Sequence, residues 1–263
     1  MLKKYVFIQN DPFYLPKVLD KYLREFSDST VGINVQSVAQ GKRTVRETAM
    51  ELYKLYGYRY FQWKLRRYLW RKLQAKLLND ILGSTKQCYS VAAVARKYGV
   101  EVTEAVNVNS DEFRQHLRDA GVEFIVSVSG TQFYGKKLRE QTPNGIINCH
   151  GALLPKYRGL MPSFWTLSHS ESQGGVTVHF VDEKLDNGAI ITQKTYRIHR
   201  RDTLEDIMAR SKDLAAEAII EAVRLVDAGD PPLMANDAEQ ATSFSMPTKE
   251  DVRRFLASGH RFY

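Results

Sequence analysis

Cysteine is scarce in this chain: Cys88 and Cys149 are the two in 263 residues. That excludes a small scaffold stapled by disulfides and points to a reducing compartment. The histidines and cysteines show none of the ligand spacing of a structural zinc site, so no metal is expected. No uninterrupted apolar stretch is long enough to span a bilayer. The opening Met1-Leu-Lys-Lys-Tyr-Val-Phe-Ile has an apolar run too short for a secretory signal, and a cytoplasmic location is expected. Internal repeats and low-complexity segments are missing as well.

Acidic residues are absent from one region in particular. Arg59, Lys64, Arg66, Arg67, Arg71, Lys72 and Lys76 follow one another with no Asp or Glu between them, against a formal net charge of +8 for the whole chain. An anionic partner suits that imbalance: nucleic acid, a membrane surface or a phosphorylated substrate. A solvated helix face is the plainer reading.

With 43% apolar residues the chain can bury a sizeable core. Its length suits one catalytic-size domain over residues 1–228, with a short C-terminal extension over 229–263. Strand and helix patterns alternate, which argues for an α/β fold with a mostly parallel sheet flanked by helices. Strands are expected at 5–9, 31–38, 100–106, 124–128, 146–150, 176–182 and 190–196. Helices are expected at 15–26, 45–55, 58–78, 90–98, 111–120 and 204–226. In the helix over 58–78, Phe61, Leu65, Tyr68, Leu69 and Leu73 form a stripe at helical spacing, which suits burial against the sheet.

The most informative stretch is Gly145-Ile-Ile-Asn148-Cys149-His150, followed by Leu153-Leu-Pro155-Lys-Tyr157-Arg158-Gly159. Side chains alternate along a strand, so Asn148 and His150 share a face and Cys149 takes the other as core packing. An amide and an imidazole side by side at a strand end can polarise a carbonyl and stabilise the oxyanion formed on attack. In open α/β sheets that end is where ligands bind. A second strand runs through His179, which reads as a core histidine, into Leu185-Asp186-Asn-Gly188. Asn-Gly is a turn signal, and Asp186 before it is either a turn-former or a presented carboxylate. Amide, imidazole and carboxylate together suit acyl transfer to an amine. A carboxylate near an imidazole also favours the imidazolium, the better electrophile.

These blocks, in this order and with this spacing, resemble the folate-dependent formyltransferase family, most of all its sugar N-formyltransferases. The resemblance covers about residues 123–226; one departure is Ala152, where many members have serine. It implies a Rossmann-like formyltransferase fold and transfer of the formyl group of 10-formyltetrahydrofolate to an amine. Asn148, His150 and Asp186 would be catalytic. The folate would lie between Ser129-Gly130-Thr131-Gln132 and Val181-Asp182-Glu183, and Tyr157, Arg158 and Gly159 would meet the acceptor.

The resemblance further implies a nucleotide-linked amino sugar as acceptor, in surface-polysaccharide synthesis, and a homodimer, with no nucleic-acid partner expected. The chain after residue 226 is too short for the C-terminal barrel of initiator-tRNA formyltransferases. Formylation of methionyl-tRNA nevertheless stays open, as does a non-catalytic folate- or nucleotide-binding homologue. The basic helix over 58–78 suggests a peripheral contact with the inner face of a membrane, a phosphate site or a subunit contact.

Overall fold

The computed structural model describes residues 1–37, 44–104 and 107–263. Its centre is a seven-stranded sheet in the order β3-β2-β1-β4-β5-β7-β8. The strands are β1 (Lys4–Gln9), β2 (Thr30–Gln36), β3 (Val102–Thr103), β4 (Phe124–Val128), β5 (Ile146–His150), β7 (Gln173–Phe180) and β8 (Ile190–Arg197). The first five are parallel; β7 runs antiparallel to them, and β8, antiparallel to β7, returns to their direction. Between β5 and β7 the two-residue strand β6 (Arg158–Gly159) pairs instead with β9 (Ser243–Phe244). Residues 38, 105 and 106, assigned to strands from sequence, lie outside the described residues.

Local sequence accounts for the main helices. In α1 (Leu15–Phe26), Leu15, Val18, Leu19, Tyr22, Leu23 and Phe26 recur at helical spacing and are buried, and Pro16 sits in the first turn where its missing N–H costs nothing. Helix α7 (Leu204–Asp227) begins at a capping box: Thr203 accepts from the Asp206 N–H, and Asp206 accepts from the Thr203 N–H. Its Ala215, Ile219, Ala222 and Val226 pack with α1 and the sheet in the largest core cluster. The shorter helices are α3 (Val91–Lys97), α4 (Asp111–Asp119), α5 (Lys136–Glu140), α6 (Pro162–Ser168) and α8 (Lys249–Ala257). Residues 229–263 fold back onto the rest: Val252, Phe255 and Phe262 share a cluster with Tyr56, Tyr60, Phe164 and Leu204.

Helix α2 (Val45–Gln74) overturns the expected burial. It bends at Gly57 (φ 80°, ψ 170°) and continues as a wider turn over Ala75–Ile81. Instead of facing the sheet, Leu65, Leu69, Leu73 and Leu77 are exposed, with Leu69 at 57%. The side turned inward carries Tyr60, Lys64 and Arg67. Glu205, at the start of α7, draws it in by accepting from the Tyr60 hydroxyl (2.7 Å), Lys64 Nζ (2.5 Å) and Arg67 (3.3 Å), and also from the Tyr14 hydroxyl (2.5 Å). Burial alone would raise the Glu205 carboxyl, but Lys64 and the two hydroxyls hold it below the usual range. No described helix is long and apolar enough to cross a membrane.

Candidate active site

Strand register builds half of the site. Ser127 on β4 stands opposite Asn148 on β5, which stands opposite His179 on β7, so three side chains form one row across the sheet. The Ser127 hydroxyl, itself bonded to the Tyr134 hydroxyl (2.8 Å), donates to Asn148 Oδ1 (3.0 Å), which leaves Asn148 Nδ2 3.5 Å from His179 Nε2. His179 Nδ1 donates to the Phe180 carbonyl (2.7 Å), which turns Nε2 towards both Asn148 Nδ2 and Asp186. His179 is 2% exposed, as a core histidine would be. It is nonetheless part of the site, because its Nε2 lies 3.6 Å from Asp186 Oδ1.

Loops build the other half. Asp186 has a left-handed backbone (φ 49°), as do Ser129 (φ 55°), Tyr157 (φ 59°) and Met161 (φ 54°) around the same space. Such conformations are uncommon for residues other than glycine and gather at functional sites. Asp186 is held by the Gly159 N–H donating to Oδ2 (2.8 Å), with its own carbonyl bound by Asn236 Nδ2 (2.9 Å). His150 Nδ1 lies 3.4 Å from Asp186 Oδ2, and its Nε2 donates to the Tyr157 carbonyl (2.7 Å).

Electrostatics separates the pair. Burial pushes His150 below its ordinary value, more than Asp186 and the Tyr157 carbonyl raise it, so the imidazole is neutral at pH 7. The imidazolium anticipated from sequence does not fit this buried position. Burial would raise Asp186 as well, but His150, His179 and the Gly159 N–H lower it to about 2. Cys149 lies in the core, where burial pushes its thiol up to about 12, which removes it as a nucleophile.

Asn148, His150, His179 and Asp186 line one cavity of about 340 Å³. Ser129, Gly130, Thr131, Gln132, Val181 and Gly159, six of the residues expected to meet folate or acceptor, line it too. Asp182 and Glu183 do not; Asp182 instead braces the turn by accepting from the Lys184 N–H and Asn187 Nδ2, and Lys184 and Leu185 reach the cavity. Tyr157 and Arg158 are also turned away from it. The Tyr157 hydroxyl donates to Glu171 (2.7 Å), and Arg158 is clamped to Asn187 and Asn236. Their part here is to shape the loop that carries Gly159.

Sequence reasoning missed Ser127 and Lys212. Lys212 lines the cavity, its ammonium donating to the Ser129 hydroxyl (2.5 Å), with burial lowering its pKa. The signal was a lysine at the spacing of Met208, Ala215 and Ile219, on the inward stripe of α7.

A cavity at the carboxyl end of a parallel sheet, walled by an amide, two imidazoles and a carboxylate, defines a carbonyl- or amine-handling α/β protein. The comparisons narrow that class. The formyl transferase family model matches residues 79–223, more than half of the chain, and the protein belongs to that family. It is 37% identical over 161 residues to the methionyl-tRNA formyltransferase of Anaeromyxobacter sp. (strain K), a match over 61% of this chain and 52% of that one. The corresponding enzyme of Kosmotoga olearia is 34% identical over 166 residues, 62% of this chain and 52% of that one. The chain thus spans about half the length of the curated relatives it matches.

Among solved structures, the phosphoribosylglycinamide formyltransferase of Anaplasma phagocytophilum has a TM-score of 0.61 at 16% identity, over 94% of this chain and 99% of that one. The N-formyltransferase of Helicobacter canadensis, solved with folinic acid and dTDP-3-aminofucose, has a TM-score of 0.60 at 15% identity, over 98% and 80%. At these identities the likeness establishes the shared fold.

Proposed function

We infer that this protein transfers the formyl group of 10-formyltetrahydrofolate to the amine of an amino sugar, carried on a nucleotide and destined for a surface polysaccharide. The observation that carries the reading is the meeting of Asn148, His150 and Asp186 on one cavity wall beside the glycine-bearing loop 129–132.

The residues present fit a folate. A Cβ on Gly130 would lie 2.1 Å from the Tyr134 hydroxyl and 2.7 Å from Ser127 Oγ, so the backbone passes here where no side chain has room. Loop 129–132 and Val181 offer backbone donors and acceptors for a pterin, and the loop is pinned by Gln36 Oε1, which accepts from the Thr131 N–H (2.8 Å). Bound there, the folate supplies an activated formyl carbonyl.

The chain's own groups supply the rest. Asn148 Nδ2 has a second hydrogen beyond the one directed at His179, and it can meet charge developing on the formyl oxygen. His150, neutral, can take a proton from the attacking amine at Nδ1, with Asp186 3.4 Å away to stabilise the resulting cation. Asp186, with its depressed pKa, stays ionised and orients the two imidazoles. The amine loses a proton as the new C–N bond forms, and the departing folate nitrogen gains one.

Support for a sugar acceptor comes from the fold shared with the N-formyltransferase solved with dTDP-3-aminofucose, and in this chain the run Ser243-Phe-Ser-Met-Pro247 borders the site. This run pairs with the site loop, and the Leu160 N–H donates to the Phe244 carbonyl (2.9 Å). Formylation of methionyl-tRNA is the second reading, favoured by the names of the relatives at 34–37% identity. The test is a mass-shift assay with 10-formyltetrahydrofolate against amino-sugar nucleotides and charged initiator tRNA in parallel. A formyl mass gain on a sugar nucleotide supports the first reading, and gain on the tRNA alone replaces it with the second. Folate binding without turnover on either set would indicate a binding homologue.

A further inference from the structure

Helix α2 carries apolar residues on two sides. Its inward side packs Tyr56, Tyr60 and Trp63 into the cluster of Val252, Phe255 and Phe262 while Glu205 holds Lys64 and Arg67, and its outward side is apolar as well. Leu65, Leu69, Leu73 and Leu77 recur every four residues on the solvent side, with Leu69 57% and neighbouring Trp70 60% exposed. The stripe continues into the wider turn at Ile81, 63% exposed. A row of leucines this long is unusual on a protein surface unless something covers it.

Charge tells what the cover is. Between Glu51 and Asp80 the sequence contains no acidic residue. Exposed Arg59, Arg66, Lys72 and Lys76 alternate with the leucines on the same face. None of the four has an ion-pair partner among the described residues, whereas Lys64 and Arg67 are engaged inward by Glu205. A second copy of this chain would press one cationic row against another, and like charges brought together oppose association. Nucleic acid would match the cations but leave the leucines in water. An anionic lipid surface meets both: leucines and Trp70 enter the headgroup boundary, and Arg and Lys stay level with the phosphates.

The geometry points to α2 as a docking surface for an anionic bilayer, lying in the membrane plane along Leu65–Ile81. The Glu205 clamp fixes its orientation: with Lys64 and Arg67 held inward, the helix cannot roll to hide its leucines. Glu205 lies one helical turn before Met208, which lines the cavity, so the clamp ties α2 to the helix that walls the site. This inference does not depend on which amine is formylated.

The experiment is co-sedimentation of the full chain with vesicles of phosphatidylglycerol and phosphatidylcholine, against vesicles of phosphatidylcholine alone, at low salt. Wild type should pellet with the first and stay soluble with the second. The triple variant Arg66→Gln, Lys72→Gln, Lys76→Gln should weaken partitioning about a hundredfold, at about 1 kcal/mol per cation. Leu69→Ser with Leu73→Ser should weaken it at least about tenfold. Both variants change exposed side chains, so an unchanged melting temperature confirms that the fold is intact.

Three results would overturn the proposal. The first is wild type that ignores anionic vesicles at low salt. The second is a dimer, seen by sedimentation velocity, that Leu69→Ser with Leu73→Ser converts to monomer without any vesicle binding. The third is RNA binding that the arginine and lysine changes abolish and the leucine changes leave alone, again without vesicle binding.

Discussion

Replacing Asp186 with Asn keeps the side chain's shape and removes its charge. The buried carboxylate faces His150 Nδ1 at 3.4 Å and His179 Nε2 at 3.6 Å, and accepts from the Gly159 N–H at 2.8 Å. An Asn oxygen can keep the last contact but not the first two. Lowering a carboxyl from 3.8 to about 2 corresponds to about 2 kcal/mol of stability, and the side chain is 7% exposed, so solvent screening removes little of it. Because the folded pKa lies below the unfolded one, that stability is present above pH 3.8 and is lost as pH falls towards 2. The variant should therefore be about 2 kcal/mol less stable than wild type at pH 7, and the gap should narrow as pH falls below about 3.8. The formylation rate should fall by roughly a thousandfold or more, as when the orienting carboxylate of a histidine is neutralised in other acyl-transfer sites. Denaturant titrations at several pH values and a formylation assay on the identified acceptor measure the two effects. Near-normal turnover would remove Asp186 from the mechanism. A stability gap equal at pH 7 and pH 3 would show that its charge is not what the fold relies on.

Burial of neutral His150 should make wild-type stability decline as pH falls below 6.5, since the unfolded chain takes up the proton more readily; His150→Asn should flatten that slope in urea titrations. Gly130→Ala puts a methyl against the Tyr134 hydroxyl and should weaken binding of a folate analogue at least about tenfold by calorimetry, with an overpacking cost of about 1–3 kcal/mol in stability. Lys4 is fully buried with its ammonium 2.8 Å from Asp227, so Lys4→Ala leaves that carboxylate unpaired and should cost about 3–5 kcal/mol by chemical denaturation.

The parts of this molecule legible in its sequence are those set by neighbours along the chain. Strand β4 and helix α1 lie at the boundaries their patterns predict, because alternation, periodicity and flanking glycines are local signals. Asn148, His150 and Asp186 were legible because their spacing sits in a recognisable motif. What escaped was fixed by distant residues. The roll of α2 is set by Glu205, 138 positions beyond Arg67, so an apolar stripe that normally predicts a buried face instead faces solvent. The role of His179 depends on its register with β5, and the pairing of Arg158 with Ser243 joins two residues that make no strand pattern of their own. Lys212 was hidden by the regularity of the helix that carries it.

The row Ser127, Asn148, His179 has a consequence for how this site can change. Register between strands is an integer: a strand cannot slip by a fraction of a residue, and a slip of one turns every side chain to the other face. Asn148 and its two neighbours are therefore indexed rather than tuned, and gradual adjustment cannot reach them. Asp186, Gly159 and Met161, by contrast, hang on loops whose backbone torsions vary continuously. Exchanging the loops over 157–163 and 182–188 while leaving β4, β5 and β7 untouched should re-aim the acceptor side of the cavity in small steps against a fixed carbonyl-facing wall, which makes those loops the place to build new amine specificities.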